Sequence, residues 1–200
     1  MARPAEPEKR QELARRAVEV FARRGFDAPM SHIADELGVK RPTLLYHFPT
    51  RAHIVETALH DLLVEQAAFV LARIEKHEHP IDRLYAQVTA VHEFHHGRES
   101  RIFLLSQAIA ASGGRMSEII EIGNRVFDAH RRAAADRVRE GIKKGTVAPC
   151  DADALVAIVR SVIDGLMVQR LMTRKDLAPA HDFLWTHVLL PLKRKPKAKP

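Results

Sequence analysis

Cysteine is almost absent. Cys150 is the only one in 200 residues, so no disulfide can form within the chain, and a secreted scaffold held by disulfides is excluded. Long apolar runs are missing too. No stretch approaches the roughly 20 residues that cross a bilayer. The opening Met-Ala-Arg-Pro-Ala-Glu-Pro-Glu-Lys-Arg lacks the apolar centre of a leader peptide. A cytoplasmic chain with no membrane association is expected. The nine glycines form no phosphate-binding loop, since Gly113-Gly114 is too short to cradle a phosphate. No Ser-His-Asp pattern and no dinucleotide fingerprint occur. Neither an enzyme nor a cofactor is expected. Acidic residues are outnumbered, 25 against 32 Lys and Arg, for a formal net charge of +7. That surplus favours a polyanionic partner, although many basic proteins bind no nucleic acid.

What is present is helical periodicity, with no internal repeat and no alternating run that would make a strand. The fold class is therefore all-α. Leu13, Ala17, Val20 and Phe21 form the stripe of a first helix over 9–24, closed by Gly25. The arm before it, with Pro4 and Pro7, reads as flexible, and Arg3 could visit a DNA groove. Asp27 is the candidate cap for the next helix, which opens with Pro29 and Ser31.

Residues 31–51 carry the most information. Ile33, Ala34 and Leu37 share one helical stripe, and Gly38 follows as a residue free to adopt positive φ. Val39 plugs the turn. A second short helix starts near Arg41, with Pro42 in its first turn, and Pro49 stops it. Two short helices around a tight turn, the second rich in hydrogen-bonding side chains, make a helix-turn-helix. The run Ile-Ala-x-x-Leu-Gly-Val-x-x-x-Thr-Leu-x-x-x-Phe-Pro-x-Arg resembles the DNA-binding signature of TetR-type transcriptional regulators. The plainer alternative, a helical hairpin of an unrelated bundle, does not call for Lys40, Arg41, Thr43, Tyr46 and His47 on a short exposed helix.

The candidate DNA contacts are Ser31, Lys40, Arg41, Pro42, Thr43, Tyr46, His47 and Arg51. Lys40 and Arg41 can reach phosphates or guanine edges, and Thr43 a phosphate or a thymine methyl. Tyr46 and His47 suit backbone contacts that position the helix. Arg51 can clamp a phosphate. Leu37, Val39, Leu44 and Phe48 read as core. One departure stands out: Leu45 occupies a place where most relatives carry a Tyr that touches DNA. Leu45 cannot donate a hydrogen bond, and Tyr46 is the nearest substitute.

Further helices are expected over 52–76, from Ile81 through His95, over 101–111, 115–144, 152–173 and 180–190. Asp151 or Asp153 is the expected cap of the helix at 152–173. Its apolar residues fall on two sides, Leu155, Ile158, Val159, Val162 and Leu166 on one, Val156, Ile163, Met167 and Leu171 on the other, as for a helix buried between two layers. The tail 193–200 alternates Lys, Arg and Pro and is expected to be disordered.

The resemblance implies three parts: a DNA-binding head at 1–51, a ligand-binding and dimerisation body at 52–192, and the basic tail. It implies a homodimer through residues 152–190, pseudo-palindromic operator DNA as partner, and repression relieved by a small-molecule effector. The helix at 52–76 would link head to body. Phe69, Tyr85, His92, His95, Phe127 and His130 are the candidate ligand contacts, large apolar surface with a few polar points. They suit an apolar or aromatic effector with one acceptor or acidic group. The alternative for the histidines is plain core packing.

Two other readings compete. One is a DNA-binding dimer with no small-molecule switch. The other rests on His92-Glu93-Phe94-His95-His96, which contains the His-Glu-x-x-His spacing of zinc peptidases. No third ligand follows in that family's manner. A non-catalytic metal site would combine His92, His95 or His96 with His130. No metal is assigned.

Overall fold

The computed structural model describes residues 7–98, 101 and 116–194, with backbone alone for 116–120 and 122. The arm at 1–6, the apolar helix expected at 101–111 except Arg101, the loop Ser112–Gly114 and the tail from 195 lie outside the described residues. Eight α-helices are described: α1 (Pro7–Arg24), α2 (Met30–Leu37), α3 (Arg41–His47), α4 (Arg51–Ile74), α5 (Pro80–Phe94), α6 (Met116–Lys143), α7 (Ala152–Thr173) and α8 (Ala178–Phe183). There is no strand among the described residues. The α-helix expected over 180–190 ends at Phe183, and a π-helical turn, Leu184–Leu189, and a 3₁₀ turn, Leu190–Leu192, continue it. Pro191 therefore sits inside a helical turn instead of ending one.

The described residues form two compact units, 7–64 with 101 and 116–124, and 65–98 with 125–194. In the first, Leu13, Ile33, Leu44, Phe48 and Ile54 have no exposed surface and pack in one cluster. Each such side chain contributes about 1.5–3 kcal/mol by leaving water. Arg16 Nη2 donates to Leu37 O at 3.0 Å, and Arg23 and Arg24 hold Glu36 at 2.8 and 2.9 Å. These contacts tie α1 to the end of α2.

The second unit has its own core. Ile81, Leu84 and Val88 of α5 meet Val138 of α6, Val159 and Ile163 of α7, and Leu189 of the terminal turns. Asp151 caps α7, accepting from the backbone N–H of Asp153 and Ala154 at 3.0 Å. On α7, Leu155, Val156, Val159 and Ile163 are buried together, so the two predicted stripes merge inward, while Ile158 is 53% exposed. His79 caps α5: its Nδ1 accepts from Ile81 N–H at 3.2 Å, and its Nε2 lies 3.0 Å from Thr146 O. Gly141 allows a close approach, because a Cβ there would meet Val147 Cγ2 at 2.6 Å.

Candidate nucleic-acid interface and effector cavity

The turn between α2 and α3 is built by backbone chemistry. Gly38 takes φ 70°, a left-handed conformation that an L side chain adopts at a cost. Its N–H donates to Asp35 O, and that of Val39 to Ala34 O, both at 3.0 Å. This is a Schellman arrangement, which satisfies the carbonyls that a helix end would leave open. Lys40 then precedes α3 in extended conformation, and Pro42 occupies the first turn. The start of α2 differs from expectation. Pro29 is the cap residue, and no side chain caps the helix. Asp27 is exposed and does not fill that role.

The short α3 is split by burial. Leu44 and the following Phe48 are fully buried, which anchors one side of the helix. Lys40, Arg41, Pro42, Thr43 and Tyr46 are exposed on the other. Neither Lys40 nor Arg41 has an ion pair among the described residues. The carboxylate that could compete, Glu36, is held by Arg23 and Arg24, whose hydrogen bonds keep its pKa below the usual range. Free cations on a rigid exposed helix are what a phosphate backbone or a guanine edge binds.

Three candidates sit differently. Ser31 is half-buried in the first turn of α2. His47 is half-buried, and its Nδ1 lacks a hydrogen-bond partner among the described residues. Arg51 is engaged within the protein. Its Nη1 donates to Phe26 O at 3.2 Å and Ala28 O at 3.4 Å, with the guanidinium 5.5 Å from the Phe26 ring centre. It braces the loop before α2.

The second unit contains a cavity of about 210 Å³. It is lined from α4 by Gln66, Val70 and Ile74, from α5 by Leu84 and Val91, from α6 by Phe127 and His130, and from α7 by Val156. Of the six predicted ligand residues, Phe127 and His130 line it. The other four do not line it and have partners of their own. Phe69 packs against Phe94 with ring centres 5.3 Å apart and carries Arg73 3.3 Å from its own. Tyr85 packs on Trp185 at 4.9 Å. His95 is buried, its Nε2 2.7 Å from Gln66 Oε1. His92 lies 3.0 Å from Ile163 O through Nε2 and 2.7 Å from His181 Nε2 through Nδ1.

The His-Glu-x-x-His spacing therefore serves packing. Glu93 makes two hydrogen bonds to Arg73, at 2.8 and 2.7 Å, and that pairing keeps its pKa low. A carboxylate so held is a poor general base. His92 has both ring nitrogens engaged, and His96 contacts Arg170. Among the described residues no three metal-ligating side chains converge.

Among the lining residues that sequence reasoning missed are four arginines, Arg83, Arg131, Arg137 and Arg160. A signal existed. Arg131 falls on the stripe Phe127–Ala134–Val138, and Arg160 lies between Val156 and Ile163 at helical spacing. A charged side chain on an inward stripe marks a helix face that is not fully dry.

No described helix is long and apolar enough to cross a membrane. Residues 13–58 match the model of the bacterial regulatory proteins of the tetR family. Comparison with curated proteins gives no significant match. Solved structures share the fold along nearly the whole chain. A regulator from Saccharomonospora viridis in complex with choline is 23% identical, with a TM-score of 0.72 over 95% of this chain and 100% of that one. A fatty acid degradation regulator from Bacillus halodurans is 16% identical, with a TM-score of 0.64 over 94% and 98%. A ketosteroid transcriptional regulator of Mycobacterium tuberculosis is 23% identical, with a TM-score of 0.61 over 94% and 96%. The head, over residues 13–58, is thus similar to the bacterial regulatory proteins of the tetR family, and the chain shares its helical fold with these solved regulators.

Proposed function

We propose that this chain is a ligand-responsive repressor, a homodimer that holds a pseudo-palindromic operator and lets go when a small molecule enters the cavity of the second unit. The division of α3 into a buried anchor and an exposed cationic face is the observation that carries the DNA-binding part. Lys40, Arg41, Pro42, Thr43 and Tyr46 would meet the DNA, with Ser31, His47 and Arg51 at the margin. The head would comprise residues 1–51, the body 52–192, followed by the basic tail.

Dimerisation is supported by one side of α7. Ala154, Ala157, Ile158, Ser161, Gly165, Val168 and Met172 recur at helical spacing, and all are exposed. Val168 is 55% and Met172 78% exposed, and Phe183 at the end of α8, with Val188 and Leu190 after it, adds apolar surface. A water-facing stripe of small and apolar residues suits a second copy of the same helix. Two heads would then read two half-sites.

Effector binding is supported by the cavity and by the regulators with which the fold is shared, one of which is a complex with choline. An effector that favours the DNA-free arrangement shifts the population away from the operator. The test has two steps. Footprinting on genomic fragments should define a pseudo-palindrome. Compounds that raise the melting temperature of the free protein should then lower operator affinity. An operator affinity that no stabilising compound changes would leave a DNA-binding dimer without a switch.

A further inference from the structure

We propose that the cavity takes an amphiphile with an anionic head, a carboxylate or a phosphate, on an apolar body. This rests on the effector reading above and narrows it to a chemical class.

Beside Gln66, Gln87, Phe127 and His130, the walls are of two kinds. Most are aliphatic, among them Val70, Ile74, Leu84 and Val91. The rest of the charge is of one sign: Arg83, Arg131, Arg137 and Arg160 line the cavity, and no carboxylate does among the described residues. The four are not equivalent. Arg160 is paired with Asp164 at 2.8 Å and lies 5.6 Å from the Phe127 ring centre. Arg131 contacts Asp128. Arg83 and Arg137 have no ion pair among the described residues. Arg83 Nη1 donates to a backbone carbonyl, His77 O, at 2.9 Å, a neutral partner.

Those two guanidinium groups act on each other. Burial, and next the charge of Arg137, push the pKa of Arg83 down, and Glu75, outside the cavity lining, offsets part of this. A ligand anion between them would relieve the repulsion and accept a forked pair of N–H donors. A neutral head would leave the repulsion in place, and a cationic head would add to it. The aliphatic walls give the remainder of the ligand its apolar burial.

Melting of the DNA-free full-length protein should be followed with decanoate, decyl phosphate, decanol and decyltrimethylammonium, all below micelle formation. Decanoate or decyl phosphate should raise the melting temperature, and the difference between them identifies the preferred head. Decanol and decyltrimethylammonium should not raise it. Arg137→Gln, at an exposed position that tolerates substitution, should weaken binding of the preferred anion about tenfold, as the loss of a hydrogen bond to a charged group does. Arg83→Gln should act in the same direction. Arg132→Gln removes an exposed charge outside the cavity and should leave binding unchanged. Equal stabilisation by decanol or decyltrimethylammonium overturns the anionic class while the effector reading stands. Anion binding unchanged in both Arg83→Gln and Arg137→Gln overturns it too. So does the absence of stabilisation by all four probes, after which the effector reading depends on the operator-release assay alone.

Discussion

Acidification should loosen the second unit through a single imidazole pair. The rings of His92 and His181 meet edge to edge, with centres 4.9 Å apart, planes 8° from parallel and facing nitrogens 2.7 Å apart. His92 Nε2 meets the carbonyl of Ile163, which can only accept, so Nε2 carries the proton. Nδ1 of neutral His92 is then the acceptor, and His181 Nε2–H donates to it. A proton added at His92 Nδ1 would confront that N–H. Burial pushes the pKa of His92 below its ordinary 6.5, helped by Arg170 and opposed by the Ile163 carbonyl and Asp164. Burial lowers His181 as well, then the charge of His92 and that of Arg170, against Asp176 and Asp182. The unfolded chain thus takes up protons near pH 6.5 where the folded chain does not. The stability from this pair is complete above that pH, declines as the pH falls below it, and stops declining once the lowered folded values are passed. Each proton bound by the unfolded state alone costs up to about 1.4 kcal/mol per pH unit. Urea unfolding between about pH 7.5 and 5.5 measures this. His92→Phe should lose about 1–3 kcal/mol at the upper end, because Ile163 O and His181 Nε2 lose a partner. Its pH dependence should be shallower, so that the two curves approach each other in acid. Curves that stay parallel would refute the assignment.

Arg41→Ala should weaken operator binding by about 1–3 kcal/mol where the side chain is bidentate to guanine. Fluorescence anisotropy with operator and random DNA measures this, and unchanged affinity for both removes Arg41 from the interface. Sedimentation should show a dimer at micromolar concentration, and Val168→Asp, on an exposed helix face, should give a folded monomer with reduced operator affinity. A variant that remains dimeric would move the interface off α7. Gly38→Ala should cost about 1–2 kcal/mol of head stability, because positive φ strains an L residue. The added Cβ meets nothing within 4 Å, so Gly38→Asn should recover much of the loss, and an Ala variant as stable as the parent would contradict the turn's description.

The helix-turn-helix head was legible because its signals are local. A glycine free to take φ 70°, a proline in the next first turn and a Phe-Pro stop decide two short helices within twenty residues, and Leu44 and Phe48 declare the buried side by hydropathy alone. The Asp151 cap was equally local, since its acceptor reaches amides two and three residues on. The cap of α2 was not readable: Asp27 is the right residue type, but the backbone makes Pro29 the first cap residue. Arg51 looks like a phosphate clamp in sequence, and its bonds to carbonyls 23 and 25 residues earlier exist only in the fold. The histidines show the same limit. A histidine on an apolar stripe is equally compatible with a ligand and with the core, and partners 29 and 89 residues away decided for His95 and His92. The arginines of the cavity come from three helices, each ordinary on its own. Local backbone preference and hydrophobic period determine which helices form and which side of each is buried. Which polar groups face one another across a cavity depends on long-range packing, and that was decided by the tertiary structure.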